Sequence, residues 1–308
     1  MESYISECLL SIFQFESTLD REIIVVDDCS SDSTVHVMRD LITKYPQENI
    51  QLIQNIENLG PAGSYNRAVE HSHGRYITFL DSDDFLIASG LESKIKLLEN
   101  NTELQVVYGN GVFYERGKNG LSIQSHMVKL LEGSIDNIQK KLYTTIPMLS
   151  VSCSVMRRDF FDRLGGFDPL CQSNDWVLNI RIFQYLTSRE QFSYILDPVF
   201  AYRMHANNIS KDQNRMIGLL IQVVDRYIPI EYREKQYANI YFFASLNLII
   251  QRQYCRSLQL FRTALSHELQ FARVLIYCIA LVSPTRFIAD RFPRIFFRIK
   301  QIIQSISK

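Results

Sequence analysis

Apolar positions in the first half of the chain alternate between two periods. Within residues 3–14, Ile5, Cys8 or Leu9, and Ile12 recur at helical spacing, and Glu22 to Val26 (EIIVV) is then a compact β-branched run that stops at Asp27. Helical spacing returns over 33–45 through Val37, Leu41 and Ile42, closed by Pro46, and Ile50 to Ile53 predicts a second short strand. A third helix is predicted from Ala62 to His71, ended by Gly74, and a third strand over Arg75 to Leu80 (RYITFL), which again stops at acidic residues. Helices between apolar strands predict a mostly parallel α/β sheet with covered faces. Ligands of such sheets bind beyond the carboxyl ends of the strands, and both acidic clusters fall at such ends.

From about residue 104 the pattern loosens. Strands are expected at Val106–Tyr108 and Leu149–Met156, a glycine-rich turn at Gly117–Gly120 and a helix from Trp176 to Tyr185. Beyond Asn214, residues 236–251 and 254–268 read as two helices without strand signals, so an α/β domain over 1–212 and a helical region over 213–308 are expected. The apolar run from Phe271 to Val282 would cover about 18 Å as a helix, short of the roughly 30 Å core of a bilayer. After Pro284, residues Ile288, Phe292, Ile295, Ile299, Ile302 and Ile306 form an apolar stripe flanked by Arg291, Arg294 and Arg298. A basic amphipathic helix of this kind lies on an anionic membrane surface or docks on the protein's own helix pair.

Composition narrows the classes. The 308 residues are 46% hydrophobic and 21% charged, which excludes a disordered or collagen-like chain. Lys plus Arg and Asp plus Glu both count 33, so no global field draws nucleic acid, and none is expected as a partner. That balance hides a basic tail: residues 284–308 hold six Lys and Arg against Asp290 alone, leaving an acidic excess in the rest. Six cysteines without a C-x-x-C pair suit a reduced compartment. No basic cluster precedes the first apolar residues, so a cytoplasmic chain is expected, peripheral on the inner face of the membrane if the tail binds it.

Chemistry concentrates at four places. Asp81-Ser82-Asp83-Asp84 follows the third strand, where aspartates at i and i+2 suit one hard cation carrying a substrate diphosphate. Asp27-Asp28 ends the first strand and would either cap the next helix or accept hydrogen bonds from a base or ribose. Gly165-Gly166-Phe167-Asp168 leads to Asn174-Asp175-Trp176, and Asp175 is either a helix-capping anion or a base taking a proton from a sugar hydroxyl. His205, followed by Asn207, Asn208 and Ser210, would sit on a loop over such a diphosphate.

These segments in this order, EIIVVDDCSSDST, NIENLGPAGSYNRAV, GRYITFLDSDDFL, GGFDPLCQSNDWVLNIRI and AYRMHANNIS, resemble glycosyltransferase family 2, inverting nucleotide-sugar transferases with the GT-A fold. The resemblance implies that Asp28 contacts the nucleotide base and that Asp81 and Asp83 form the D-x-D motif. That motif holds Mn²⁺ or Mg²⁺ on the diphosphate of a nucleoside-diphosphate sugar. It further implies Asp175 as general base, His205 near the metal, and Asn58, Gly63 and Asn66 in the segment lining the donor pocket. A glycan or lipid-linked hydroxyl is the implied acceptor.

The chain departs from the family pattern in three ways. Family members usually open with a strand ending in a Pro-x-Tyr-Asn-like segment, which the resemblance implies is missing here, with weak donor binding or poor stability as the expected consequence. The family often has Glu where this chain has Asn174, and Arg where it has Tyr65. A nucleotide-sugar-binding pseudoenzyme, a nucleotidyltransferase and a helical interaction protein are the rival readings.

Overall fold

A computed structural model describes residues 1–15, 19–115, 118–122, 124–147, 149–205, 208 and 212–282. The backbone groups into two compact units, Met1–Gln139 with Met148–His205, and Lys140–Pro147 with Ala206–Lys308.

The first unit opens with the predicted alternation: α1 (Ile5–Phe13), β1 (Ile23–Asp27), α2 (Thr34–Lys44), β2 (Ile50–Gln54) and α3 (Gly60–Glu70). The third helix starts two residues earlier than expected, because Pro61 fits its first turn, where a missing N–H costs nothing. β1 and β2 pair in parallel from Ile23–Ile50 to Asp27–Gln54. Ile5 and Leu9 of α1, Ile23 of β1 and Met38 of α2 share one buried cluster, which is why the helical and β-branched runs must fold together.

β3 (Tyr76–Ile77), β4 (Phe85–Leu86), α4 (Ala88–Asn100), β5 (Val106–Glu115) and β6 (Lys118–Ser122) follow, then α5 (Gln124–Leu131) and α6 (Ile135–Thr144), whose last residues count with the second unit. β7 (Ser154–Arg157), α7 (Arg158–Leu164), α8 (Asn174–Tyr185) and β8 (Phe192–Arg203) complete the unit. The main sheet runs β3-β7-β5-β8-β4, with β6 on β5.

Among the described residues only β5–β8 is parallel in this sheet; β3–β7, β5–β7, β4–β8 and β5–β6 are antiparallel. The expected mostly parallel sheet is therefore a mixed one. The regular strand–helix alternation that forces parallel neighbours ends at α4, and the later strands are not linked to their sheet neighbours by single crossover helices. Among the described residues, β1 has a ladder partner only in β2, and β3 only in β7. The strand expected over 149–156 begins instead with a short 3-10 turn at Val151–Cys153, and only Ser154–Arg157 joins the sheet. The sheet packs on α4 through Leu91, Leu98, Val107, Cys153, Val155, Val199 and Phe200.

The second unit is helical: α9 (Gln213–Tyr227), α10 (Ile230–Ile250), α11 (Tyr254–His267) and α12 (Phe271–Val282). Its core joins Phe242, Leu246 and Ile249 of α10 to Phe261 and Ala264 of α11 and Tyr277 of α12, with the Phe261 and Tyr277 rings stacked at 3.9 Å. Arg273, 1% exposed, is tolerated there because Asn239 Oδ1 at 2.8 Å and the Glu268 carboxylate at 2.9 Å receive its guanidinium. Among the described residues no helix is long and apolar enough to cross a membrane. The basic stripe predicted after Pro284 lies outside the described residues.

Candidate active site

The acidic cluster after β3 gathers side chains from distant parts of the first unit. Asp83 Oδ2 lies 2.9 Å from His205 Nε2, joining positions 122 apart in sequence. The imidazole stacks on Tyr4 at 4.5 Å. Asp81 receives a hydrogen bond from the Tyr65 hydroxyl, and its carbonyl accepts one from Cys8 Sγ at 3.6 Å. Asp81 is exposed to solvent. Partial loss of solvation to the protein atoms around it, with the charge of Asp83 beside it, raises its pKa.

Arg203, at the end of β8, shapes this turn. Its backbone N–H donates to Asp84 Oδ1 at 2.8 Å, its Nε to the carbonyl of Asp83 at 2.7 Å, and its terminal nitrogen to Glu7 at 2.7 Å. The rings of Tyr4, Phe85 and Tyr114 surround the guanidinium at 5.1–5.4 Å. Asp84 is 1% exposed with Oδ2 unpartnered, and burial pushes its pKa up to about 8. Sequence reasoning missed Arg203; the available signal was a basic residue at a strand end two positions before His205.

Asp175 stands at the start of α8. Its Oδ1 accepts the Val151 N–H at 2.8 Å, from the 3-10 turn that replaces the first half of the expected strand, and Ser150 supplies a second hydrogen bond. Asp175 is exposed to solvent; loss of solvation to the protein atoms around its carboxylate, then the charge of Asp81, outweighs these bonds and pushes its pKa up to about 7. A carboxyl with that value is poised for proton transfer near neutrality. The Asn179 amide ties the backbone of Asp175 to that of Leu149, with hydrogen bonds of 2.6 and 2.8 Å.

The loop before α8 is held from α3. Asn66 Oδ1 accepts the Phe167 N–H at 2.8 Å and its Nδ2 donates to the Phe167 carbonyl at 2.9 Å. Arg181 of α8 donates to the carbonyls of Gly166, at 2.6 Å, and Leu164. Gly63, on the same helix as Asn66, lies so close to the turn before it that an added Cβ would come within 2.7 Å of Leu59 Cβ.

Asp28 serves the loop in front of α3. Its carboxylate accepts the Leu59 N–H at 2.7 Å, the Gly60 N–H at 2.8 Å and the Asn55 amide at 2.8 Å, while its carbonyl accepts from Asn58 Nδ2 at 3.0 Å. It therefore caps α3 rather than the helix that follows it in sequence. Its neighbour Asp27 is 5% exposed with Oδ1 unpartnered.

Asp81, Asp83 and His205 offer the hard oxygens and imidazole that Mn²⁺ or Mg²⁺ accept. Among the described residues, no three His, Cys, Asp or Glu side chains are gathered so that together they could hold a metal ion. Of the residues after His205, Asn208 is buried, while 206–207 and 209–211, including Asn207 and Ser210, lie outside the described residues.

The sequence model described as Glycosyl transferase family 2 matches residues 2–165, more than half of the chain. The chain belongs to this family. Thirty-one per cent identity over 129 residues, 42% of this chain and 50% of the relative, links it to an uncharacterized glycosyltransferase of Haemophilus influenzae. An Escherichia coli protein, UDP-Glc:alpha-D-GlcNAc-diphosphoundecaprenol beta-1,3-glucosyltransferase WfgD, is 36% identical over 109 residues, covering 35% of this chain and 41% of its own length. A poly(ribitol-phosphate) beta-glucosyltransferase of Bacillus spizizenii is 33% identical over 147 residues, 47% of this chain and 22% of the relative. The chain thus spans half or less of the length of these relatives.

Solved structures agree on the fold. A mannosyltransferase from Pyrobaculum calidifontis, in complex with GDP-Man and Mn²⁺, superposes with a TM-score of 0.58 at 18% identity, over 93% of this chain and 79% of that one. Staphylococcus aureus TarS 1-349, in complex with UDP-GlcNAc, gives 0.54 at 20% identity, over 85% and 78%. The GT-A fold expected for a family 2 member is the fold observed. The family match covers Asp28, Asn58, Gly63, Asn66, Asp81 and Asp83 and ends before Asp175 and His205.

Proposed function

We propose that this family 2 chain is an inverting, metal-dependent glycosyltransferase that moves a sugar from a nucleoside diphosphate to a hydroxyl of a glycan or lipid-linked acceptor in polysaccharide assembly. The observation that carries the reading is the placing of Asp175: its carboxylate accepts the Val151 N–H at 2.8 Å at the start of α8, in the same unit as the Asp83–His205 pair at 2.9 Å. A base and an acidic turn able to hold a cation bound to a diphosphate are what sugar transfer needs. Support for the substrate class comes from relatives named as glucosyltransferases and from neighbours complexed with GDP-Man and UDP-GlcNAc.

In this reading Asp175 takes the proton of the acceptor hydroxyl as its oxygen attacks the anomeric carbon from the face opposite the nucleotide. The new C–O bond forms as the bond to the diphosphate oxygen breaks, inverting the configuration. Asp81, Asp83 and His205 would hold Mn²⁺ or Mg²⁺, which when bound supplies positive charge against the leaving diphosphate. Asp28, through its remaining lone pairs, would meet the base, and Asn58, Gly63 and Asn66 would line the donor pocket beside it.

The test is release of nucleoside diphosphate from a panel of UDP- and GDP-sugars with Mn²⁺ and a hydroxyl acceptor. Turnover lost in Asp175→Asn supports the reading; binding without turnover in the wild type favours the pseudoenzyme. The basic stripe of 284–308 suits an anionic membrane surface, where lipid-linked acceptors reside. Flotation with phosphatidylglycerol liposomes checks this: deletion of 284–308 is expected to abolish it, and unchanged flotation would rule out the membrane role.

A further inference from the structure

Tyr65 connects the two halves of the site. Its hydroxyl donates to Asp81, its ring stacks on Phe167 at 5.2 Å and 27°, and it meets Phe79 in a T-shaped contact at 4.9 Å. Phe167 itself packs on Phe79 at 5.0 Å and on Phe161 at 5.5 Å, and the next residue, Asn66, holds its backbone. An exposed tyrosine hydroxyl samples many directions; this one is clamped by two aromatic rings on a helix and has one proton to give. Among the described residues no other side chain donates to the Asp81 carboxylate. The carboxylate is thus turned by a group whose position depends on the loop leading to Asp175.

We propose that Tyr65 is a positioning residue that orients Asp81 for the donor diphosphate and couples that orientation to the Phe167 loop on the acceptor side. The proposal rests on the transferase reading above. Groups that hydrogen-bond a ligating carboxylate govern its affinity for the ion it holds, and their loss commonly costs about 10–100-fold. Tyr65→Phe isolates the hydroxyl, because the phenyl ring keeps its stack on Phe167 and its contact with Phe79.

The experiment uses the full chain and titrates UDP and GDP calorimetrically in the presence of Mn²⁺, alongside thermal denaturation. Tyr65→Phe is expected to weaken binding about 10–100-fold with little change in melting temperature. In an Asp81→Asn background, titrated at millimolar nucleotide, the same change is expected to add less than about twofold, because Tyr65 acts through that carboxylate. Equal binding by wild type and Tyr65→Phe, or an undiminished loss in the Asp81→Asn background, overturns the proposal while leaving the transferase reading intact. If the wild type binds neither nucleotide, the transferase reading falls and takes this proposal with it.

Discussion

Asn66 grips Phe167 by both backbone atoms, an amide spanning 101 positions of sequence and fixing the loop that delivers Asp175. The grip is possible because Gly165 and Gly166 turn the chain with φ of +75° and +71°, the left-handed region that favours glycine. A Cβ on Gly166 would lie 2.6 Å from Asn66 Oδ1, so the glycine is required by space as well as by conformation.

Gly166→Ala is therefore expected to expel the Asn66 amide. The left-handed backbone alone costs about 1–2 kcal/mol for a residue with a Cβ, and the lost hydrogen bonds add to it. Thermal denaturation should show a drop of several degrees, and turnover should fall with it because Asp175, the proposed base, is displaced. A melting temperature within about 1 °C of the wild type would show that the loop is held by other contacts.

Asp175 gives a pH prediction in two directions. Its ordinary value is 3.8 and loss of solvation to the surrounding protein atoms raises it to about 7, so the rate should climb as pH rises through about 7, where Asp175, the proposed base, loses its proton. The fold favours the protonated form, so its stabilising effect is complete below about 4 and is lost as pH rises from 3.8 to about 7. Asp175→Asn cannot ionise. It should lower turnover by roughly 10²–10⁴-fold yet melt slightly above the wild type at pH 8, solvent screening at the exposed carboxyl keeping the gain small, with the difference vanishing near pH 4. A variant that melts below the wild type at pH 8 contradicts the desolvation argument.

Much of this arrangement was legible in the sequence. The periods of α1, β1, α2, β2 and α3 located five elements closely, because amphipathic helices and β-branched runs bury one face each. Asp81, Asp83, Asp175 and His205 stood out as acids at strand or helix ends and a histidine after a strand. The sequence concealed β7 running against its neighbours and α9, where no regular period marks the edges. It also concealed Arg203 and the Ser150–Val151 contact to Asp175, since these depend on segments brought together from distant positions. Asp28 shows the same limit: its neighbours suggested a cap for the following helix, while its carboxylate reaches the loop 31 residues on.

Arg203 should be essential to the acidic turn. Arg203→Met removes the donor to the Asp83 carbonyl and the ion pair with Glu7, leaving a carbonyl that cost about 1–3 kcal/mol to strip of its partner. Arg203→Lys keeps a charge but lacks the planar fork that reaches Asp83 and Glu7 together, so its melting temperature is expected close to that of Arg203→Met. Full recovery by lysine would mean that charge alone holds the turn.

The pairing of Asp83 with His205 at 2.9 Å gives the last prediction. The imidazole has two duties in the structure, a stack on Tyr4 and a nitrogen aimed at the acidic turn, and a single substitution can separate them. His205→Phe keeps a ring over Tyr4 and removes the nitrogen. If the nitrogen helps hold Mn²⁺, affinity for UDP or GDP with Mn²⁺ should fall about 10–100-fold, while binding measured in EDTA stays unchanged. A structural role would instead weaken both by the same factor, because a displaced turn disturbs the nucleotide with or without the ion. Since Phe replaces the stacking surface of His205, the melting temperature is expected to stay within a few degrees of the wild type, and the calorimetric contrast between Mn²⁺ and EDTA decides which duty matters to binding.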